Sequence, residues 1–213
     1  MARIAGWMAF LMKKPFREVR SILRYNKLRI RVRGNKSLIR IIIGAARFGQ
    51  KGWLATDENF LNLLRPFDWE RLFKPNAIDA LLAEHVWEHL SRGEGLKAAK
   101  ICFKYLKKGG YLRVAVPDGF HPESEYVSYV KPGGNDPGCN DHEVLYNYLD
   151  FKNLFEKAGF KAELLEYFDE NGKFHYQQWE KEDGMIKRSK RFDKRNKNGK
   201  LNYTSIILDA VKS

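Results

Sequence analysis

The sequence predicts an α/β fold with a mostly parallel sheet, because residues 77–118 have the pattern of a strand, a helix and a returning strand. Residues 77–83 form a nearly continuous apolar run, which is typical of a strand buried on both faces of a parallel sheet. Ser91 and Glu94 have the spacing of a helix-capping box, and apolar residues follow them at helical spacing. Residues 111–118 form a second apolar run, which predicts the returning strand.

Two further strands are predicted before this unit. Residues 38–43 are rich in β-branched side chains and end at Gly44, and residues 53–57 form a shorter run that ends at Asp57. Parallel neighbours usually need a crossover of about a dozen residues. The connection from Gly44 to Gly52 is shorter than that, so we expect a turn or loop there in place of a helix.

The rest of the chain is predicted from its turn residues and apolar runs. The predicted elements are a short third strand over 60–64, a short helix over 68–73 capped by Asp68, a lid-like loop over 119–141, a helix over 145–158 stopped at Gly159, strands over 162–168 and 203–211, and between these strands a polar excursion over 171–200 that is mobile around 194–200.

The charge is unevenly distributed along the chain. The net charge is +13, of which residues 1–40 carry +11 and residues 187–200 carry +7, so the remainder is mildly acidic at −5. Two basic appendages favour contact with an anionic partner, such as a membrane surface, a phosphorylated lipid or glycan, or nucleic acid. A solvated face that only aids solubility is the alternative. The abundant aromatic residues exclude a disordered chain.

The basic leader defines our domain prediction, in which residues 1–37 are an amphipathic N-terminal segment and residues 38–213 are the folded domain. Apolar and cationic residues of 1–36 suit a helix lying on an anionic membrane surface, although packing against the domain or a second subunit suits them equally. No apolar run approaches the roughly 20 residues of a membrane span. The two cysteines match no metal-ligand spacing, so we expect a reducing, cytoplasmic setting, with peripheral contact at the inner membrane face.

The order of these motifs resembles that of the class I S-adenosylmethionine-dependent methyltransferases. More narrowly, it resembles the small predicted methyltransferases, similar to methyltransferase type 11, that often occur beside glycan-biosynthesis enzymes. The motifs that carry the resemblance are IGAA at 43–46, GWLATD at 52–57, AEHVWEHL at 83–90, LKKGGYLR at 106–113 and YTSIILDA at 203–210. The resemblance covers residues 38–212 and implies a Rossmann-like sheet with an antiparallel last strand.

The resemblance implies S-adenosylmethionine as cofactor and assigns binding roles to particular residues. The expected cofactor-binding residues are Gly44, Ala45 and Ala46 beneath the methionine part, Asp57 at the ribose hydroxyls, Asp68 or Trp69 at the adenine edge, and Glu84 with His85 beside the methionine and sulfonium. The family usually has a second glycine where this chain has Ala46, and bulky Arg47 follows it. A helix cap or surface acid is the alternative for Asp57, and a simple helix cap is the alternative for Asp68.

The acceptor is expected to be an oxygen of a carbohydrate or another small polar molecule, methylated by in-line transfer. A base then helps to remove the acceptor proton. His121 is the first candidate for that base, with Asp118 as its orienter, and His142 is the second. The alternative for each histidine is a hydrogen-bonded loop residue. Asp118 and His121 could also contribute to a metal site, as in some sugar methyltransferases, but the sequence does not require a metal.

Two other functions compete with this interpretation. Residues 85–89, HVWEH, match an inverted zinc-peptidase motif, which needs both histidines on one face of one helix. Here His85 ends a strand and the helix cap Ser91 follows His89, so zinc hydrolysis is a remote alternative. A non-catalytic, RNA-binding or RNA-modifying protein is the second alternative. Nucleic acid is not the expected partner, because the basic clusters are not interleaved with aromatic stacking platforms.

Overall fold

The fold centres on one seven-stranded sheet. The computed structural model describes residues 19, 22–32, 34, 38–46, 48–135 and 138–213. The strands are β1 (Arg40–Ile43), β2 (Leu54–Ala55), β3 (Ile78–Glu84), β4 (Leu106–Pro117), β5 (Lys161–Phe168), β6 (Phe174–Tyr176) and β7 (Ser205–Val211).

The strands run in the order β2-β1-β3-β4-β7-β5-β6. β1 pairs in parallel with β2 and β3, and β3 pairs in parallel with β4. β7 lies between β4 and β5 and is antiparallel to both, and β6 adds an antiparallel hairpin strand at the edge. The predicted sheet with an antiparallel last strand is therefore confirmed. The edge strand β6 was not predicted.

Helices cover one face of this sheet. The helices of the described residues are α1 (22–32), α2 (Pro66–Glu70), α3 (Arg92–Tyr105), α4 (Ser124–Val130) and α5 (Tyr148–Lys157). The predicted capping box begins α3, because Ser91 Oγ accepts from Glu94 N–H and Glu94 Oε2 accepts from Ser91 N–H. Ile41 and Ile43 of β1 belong to the core on this helical face.

Among the residues that the structure describes, irregular segments and not helices cover the opposite face. Ile42 points to this side, where Leu82 and Ile207 pack with Trp179 and Ile186. Both covering side chains come from the segment predicted as a polar excursion. That segment therefore contains the edge strand β6 and a second layer of the core. This layer covers a face of the sheet that would otherwise be open, because the described residues of the short connection between β1 and β2 form no helix.

Several predicted elements differ from the structure. The lid-like loop predicted over 119–141 contains the helix α4 (Ser124–Val130). Residues 60–64 form turns and not a strand, because Asn62 Oδ1 accepts from Leu64 N–H and so competes with strand pairing. The short helix begins earlier than predicted, with Pro66 at its start, so Asp68 lies inside it and does not cap it. The returning strand β4 begins at Leu106, earlier than the predicted start at residue 111, and its pairing with β3 is irregular near this start.

The basic N-terminal segment lies only partly within the described residues. In α1, Leu28 is fully buried in the main core and Tyr25 meets Phe60 edge to face, with ring centroids 5.8 Å apart. The helix thus packs against the domain on one side, while Ile22 and Ile30 remain exposed. No helix in the described part of the chain combines the length and apolar character that a membrane crossing requires.

Candidate active site

A cavity of about 490 Å³ opens where β1, β2 and β3 end, which is the edge where open parallel sheets bind ligands. Its volume lies within the usual range of small-molecule sites. The residues that line it are Ile43, Gly44, Ala46, Asp57, Glu58, Leu61, Asn62, Leu63, Leu64, His85, Val86, His89, Leu90 and Asp141.

Three of the lining residues have left-handed backbone. Gly44 has φ +61°, and a Cβ built on it would lie 2.9 Å from Val86 Cγ2, so no larger residue fits there without movement. Ala46 and His85 have φ of +43° and +53°, which side-chain-bearing residues rarely adopt. Strained backbone of this kind concentrates at functional sites, and here it occurs at the ends of two adjacent strands.

Asp57 places a carboxylate on the cavity wall after β2. Its Oδ1 accepts a hydrogen bond from the backbone N–H of Asn59, which fixes the side chain in a turn. Its Oδ2 lies 3.8 Å from Arg24 Nη1 of α1, and both side chains are largely buried. The structure thus places an acid on the cavity wall at the end of β2, and the contact of this acid with a ribose stays a prediction from the sequence.

His85 joins the cavity to a buried acid. Its Nε2 lies 3.0 Å from Ser205 Oγ, and its Nδ1 lies 3.0 Å from Oε1 of Glu88. Glu88 is completely buried, and burial raises the pKa of its carboxyl group to about 7. A proton acceptor with a pKa near neutrality therefore lies directly behind the cavity wall.

Two more histidines complete this region. His89 follows Glu88 in the 3-10 turn Trp87–His89, and its ring meets that of His142 edge to face at 4.7 Å between centroids. His142 Nδ1 lies 2.9 Å from the carbonyl oxygen of Val130, so Nδ1 carries the proton that it donates to this acceptor. His89 Nδ1 lies 3.1 Å from Oδ1 of Asp141, which also lines the cavity.

Comparison with solved structures identifies the fold. A S-adenosylmethionine-dependent methyltransferase from Thermotoga maritima superposes with a TM-score of 0.50 at 14% identity, over 96% of each chain. The chain has the fold of a S-adenosylmethionine-dependent methyltransferase. A second such enzyme, from Archaeoglobus fulgidus, gives a TM-score of 0.45 at 17% identity, over 94% of this chain and 97% of its own.

Phosphoethanolamine N-methyltransferase 2 of Haemonchus contortus, solved with S-adenosylhomocysteine, is a third similar structure, with a TM-score of 0.39 at 16% identity. The match covers 64% of this chain but only 37% of that one, so the present chain spans little more than a third of that enzyme. No protein-family model and no curated protein matches the chain.

The structure brings half of the predicted cofactor-binding residues to the cavity. Gly44, Ala46, Asp57 and His85 line it together. Ala45 and Glu84 face the other side of the sheet, where they line a separate small cavity of about 50 Å³. The carboxylate of Glu84 accepts a hydrogen bond from Arg188 N–H at that site. Arg47 follows Ala46, the residue that stands where the family usually has a second glycine, and it lies outside the described residues.

Asp68 and Trp69 lie behind the cavity and hold its wall. Asp68 Oδ2 accepts from the backbone N–H of Asn62, and Trp69 Nε1 donates to the carbonyl oxygen of the same residue. Trp69 is fully buried and stacks on Tyr105. The two residues therefore position Asn62, which lines the cavity, and neither lines it itself.

His121 and Asp118 do not form the predicted base-and-orienter pair. His121 Nδ1 accepts from Glu123 N–H, and its Nε2 donates to the carbonyl oxygen of Leu201, so both ring nitrogens are engaged. The Asp118 carboxylate accepts from the N–H groups of Phe120 and Phe168 instead. Burial raises the pKa of Asp118 to about 6 and lowers that of His121. Both side chains serve the packing of the loop in this arrangement.

Sequence reasoning missed Glu88 and the position of His89. Residues 85–89 lie in a methyltransferase-like motif and match a zinc-peptidase pattern, but neither interpretation assigns a role to Glu88. The structure shows that His85 and His89 do not share an α-helix. Because the chain turns sharply after β3, His89 lines the cavity while Glu88 points into the core. The concentration of two acids and two histidines just after a buried strand was the available signal.

Proposed function

We propose that this protein is a S-adenosylmethionine-dependent methyltransferase that acts on an oxygen of a carbohydrate or another small polar acceptor. One observation carries the proposal. The cavity at the strand ends combines a glycine with no room for a side chain, an acid at the end of β2 and a strained histidine, on a sheet with the methyltransferase fold.

The residues of the cavity fit this cofactor. Gly44 presents bare backbone where a side chain would collide with Val86, as close contact with a ligand requires. Asp57 offers a carboxylate for two ribose hydroxyls, and Leu61, Leu63 and Leu64 add apolar walls that suit an adenine ring. The cavity is therefore apolar on one side and acidic on the other, as an adenosyl ligand demands.

S-adenosylmethionine, when bound, supplies a methyl group on a sulfonium, which becomes a neutral thioether once the acceptor oxygen takes the methyl and gives up its proton. The protein then has to align the acceptor and receive that proton. His89 lines the cavity, and His142 and Glu88 adjoin it, so these three residues form its proton-accepting side. Of the two bases predicted from sequence, His142 fits this role better than His121.

The polar rim supports a hydroxylated acceptor. Glu58, Asn62 and Asp141 line the cavity and provide carboxylate and amide groups that hydrogen-bond to hydroxyls. An apolar acceptor would shield these groups from water without hydrogen-bonding to them. The rim thus favours a sugar-like molecule over an apolar one.

Calorimetric titration of S-adenosylmethionine into the purified protein tests the proposal. We expect one site, and we expect Asp57→Ala to weaken binding by about 10- to 100-fold, because hydrogen bonds to a charged acceptor contribute about 1.5–3 kcal/mol. Asp150→Ala is the matched control, since that acid pairs with Arg92 on the surface and does not line the cavity. The absence of cofactor binding in the parent protein would overturn the assignment.

A further inference from the structure

Glu88, His89 and His142 form a compact group of potential metal ligands. One donor atom from each lies within 4.8 Å of the other two. We propose that these three side chains bind a divalent transition-metal cation beside the cofactor cavity. Glu88 and His89 come from the turn after β3, and His142 follows the 3-10 turn Cys139–Asp141, so residues far apart in sequence meet at one point.

Glu88 provides the first argument. Its side chain is fully buried, and within the described part of the chain neither carboxylate oxygen makes a hydrogen bond of good geometry. The closest ion-pair contact is His85 Nδ1, at 3.0 Å from Oε1. Buried carboxylates are normally hydrogen-bonded, paired or bound to metals, because removing them from water is costly. An ion between Glu88 and the two histidines would meet that requirement.

His142 provides the second, independent argument. Its Nδ1 donates to the carbonyl oxygen of Val130 at 2.9 Å, so the neutral ring keeps its lone pair on Nε2. A histidine that ligates a metal almost always donates its other N–H to a carbonyl or carboxylate, which fixes both tautomer and ring orientation. The neutral ring of His142 is therefore already held in the tautomer and orientation that a ligand needs.

His89 completes the set and connects it to the cavity. Its side chain is about one-third exposed and lines the cavity, and its Nδ1 lies 3.1 Å from Asp141 Oδ1. A carboxylate beside a ligating imidazole is a frequent outer partner in metal sites. An ion held by His89 would thus border the space in which the acceptor is proposed to bind.

The ligand chemistry selects the kind of cation. Two imidazoles and one carboxylate suit Zn²⁺, Mn²⁺ or Fe²⁺ and are a poor match for Ca²⁺, which takes six to eight oxygens. Bonds of about 2.1 Å bring donor atoms to within about 4.2 Å of one another, so binding requires only a small inward movement. Its role at the acceptor rests on the proposed function: with the ion bound, these three side chains would act as ligands and not as bases, and the ion would bind the acceptor oxygen and make its hydroxyl acidic enough to release the proton to water in the open cavity.

Metal titration tests the site without reference to activity. Protein freed of metal by a chelator is titrated with Zn²⁺ and, separately, with Mn²⁺, and Co²⁺ is added to read imidazole ligation from its visible absorption. We expect one ion per chain, with affinity reduced at least 100-fold in Glu88→Gln and in His142→Ala. His175→Ala is the matched control, because that histidine pairs with Asp169 on the β5–β6 hairpin, and it should bind metal like the parent.

Circular dichroism confirms that each variant is folded, and His89→Ala replaces Glu88→Gln if the buried substitution unfolds the protein. Absence of stoichiometric binding, or equal affinity in the parent and the folded variants, would overturn the site. S-adenosylmethionine binding is measured on the same samples. Metal binding without cofactor binding refutes only the proposed methyltransferase, and cofactor binding without metal binding refutes only the cation site.

Discussion

Arg24 of helix α1 lies 3.8 Å from Asp57, the acid that ends β2 on the wall of the cavity. The basic N-terminal segment therefore reaches the proposed ribose site. A guanidinium at that distance competes with ribose hydroxyls for the same carboxylate, and such a pair contributes about 0.5–1 kcal/mol.

Replacing Arg24 with alanine should accordingly strengthen S-adenosylmethionine binding by about 2- to 5-fold, as measured by calorimetry. In an Asp57→Ala background, Arg24→Ala should not change the affinity, because the carboxylate for which the guanidinium and the ribose compete is absent. A weaker affinity in Arg24→Ala would contradict this account and would mean that the guanidinium binds the cofactor itself.

Gly44 is the position where the cavity tolerates a side chain least. Gly44→Ala places a Cβ 2.9 Å from Val86 Cγ2 at φ +61°, so we expect a loss of about 1–2 kcal/mol in the free energy of unfolding and weaker cofactor binding. Guanidinium titration and calorimetry measure the two effects. Gly49→Ala is the matched control, since nothing lies within 4 Å of its Cβ, and it should leave both quantities near the parent values. Equal effects at the two glycines would contradict the prediction.

Ala46 carries left-handed strain at the same strand end. Its φ is +43°, a conformation that costs about 1–2 kcal/mol for a residue with a Cβ and little for glycine. After the larger chain entropy of glycine is subtracted, Ala46→Gly should raise the free energy of unfolding by about 0.5–1 kcal/mol. Denaturant unfolding checks this. A destabilised variant would show that packing of the Ala46 methyl group stabilises the fold by more than the left-handed backbone destabilises it.

Several parts of the site follow from local sequence. Gly44 and Asp57 were found because each ends a short apolar run, and strand ends of a parallel sheet share one edge. The helix α3 was found because its capping box is a contact between near neighbours in the chain. Such features need no knowledge of the tertiary structure.

Other parts of the site depend on the direction in which a side chain points and on contacts between residues far apart in the sequence. Glu84 is the last residue of β3 and His85 follows the strand with a left-handed backbone, so the structure places their side chains on opposite sides of the sheet and only His85 lines the cavity. His121 looked available as a base because its acceptor, Leu201, lies 80 residues further along the chain. The layer that contains Trp179 and Ile186 was not predicted, because these residues lie in a polar segment that has no periodic pattern of apolar residues.

Asp118 should make the stability of the fold depend on pH. Burial raises its pKa from 3.8 to about 6, so the folded protein holds this proton more tightly than the unfolded chain does. The resulting stabilisation is complete below pH 3.8 and is lost as the pH rises through 6. Between pH 7.5 and pH 4.5 this group should therefore add about 2 kcal/mol to the free energy of unfolding.

Asp118→Asn lacks this titration, so the difference in unfolding free energy between parent and variant should be about 2 kcal/mol larger at pH 4.5 than at pH 7.5. Guanidinium unfolding at both pH values measures it. The variant is expected to be less stable at both, because one of the two backbone N–H donors loses its acceptor. A difference independent of pH would contradict the raised pKa.

Arg113 and Asp209 hold the irregular layer against the sheet. Two guanidinium nitrogens donate to the two carboxylate oxygens at 2.8 Å, and Nη1 donates to the carbonyl oxygens of Glu180 and Gly184. Arg113 is almost completely buried, so Asp209→Ala would leave its charge without a counterion and should cost about 3–5 kcal/mol.

The double variant Arg113→Met/Asp209→Ala should recover part of this loss, because it removes the buried charge together with its partner. Trypsin offers a local readout, since the lysine-rich residues 187–200 follow directly on the anchored carbonyls. Cleavage there should be faster in Asp209→Ala than in the parent. A double variant no more stable than Asp209→Ala would show that the carbonyl contacts of Arg113 matter more than its ion pair. In that case the layer would be held by hydrogen bonds from the guanidinium and not by charge.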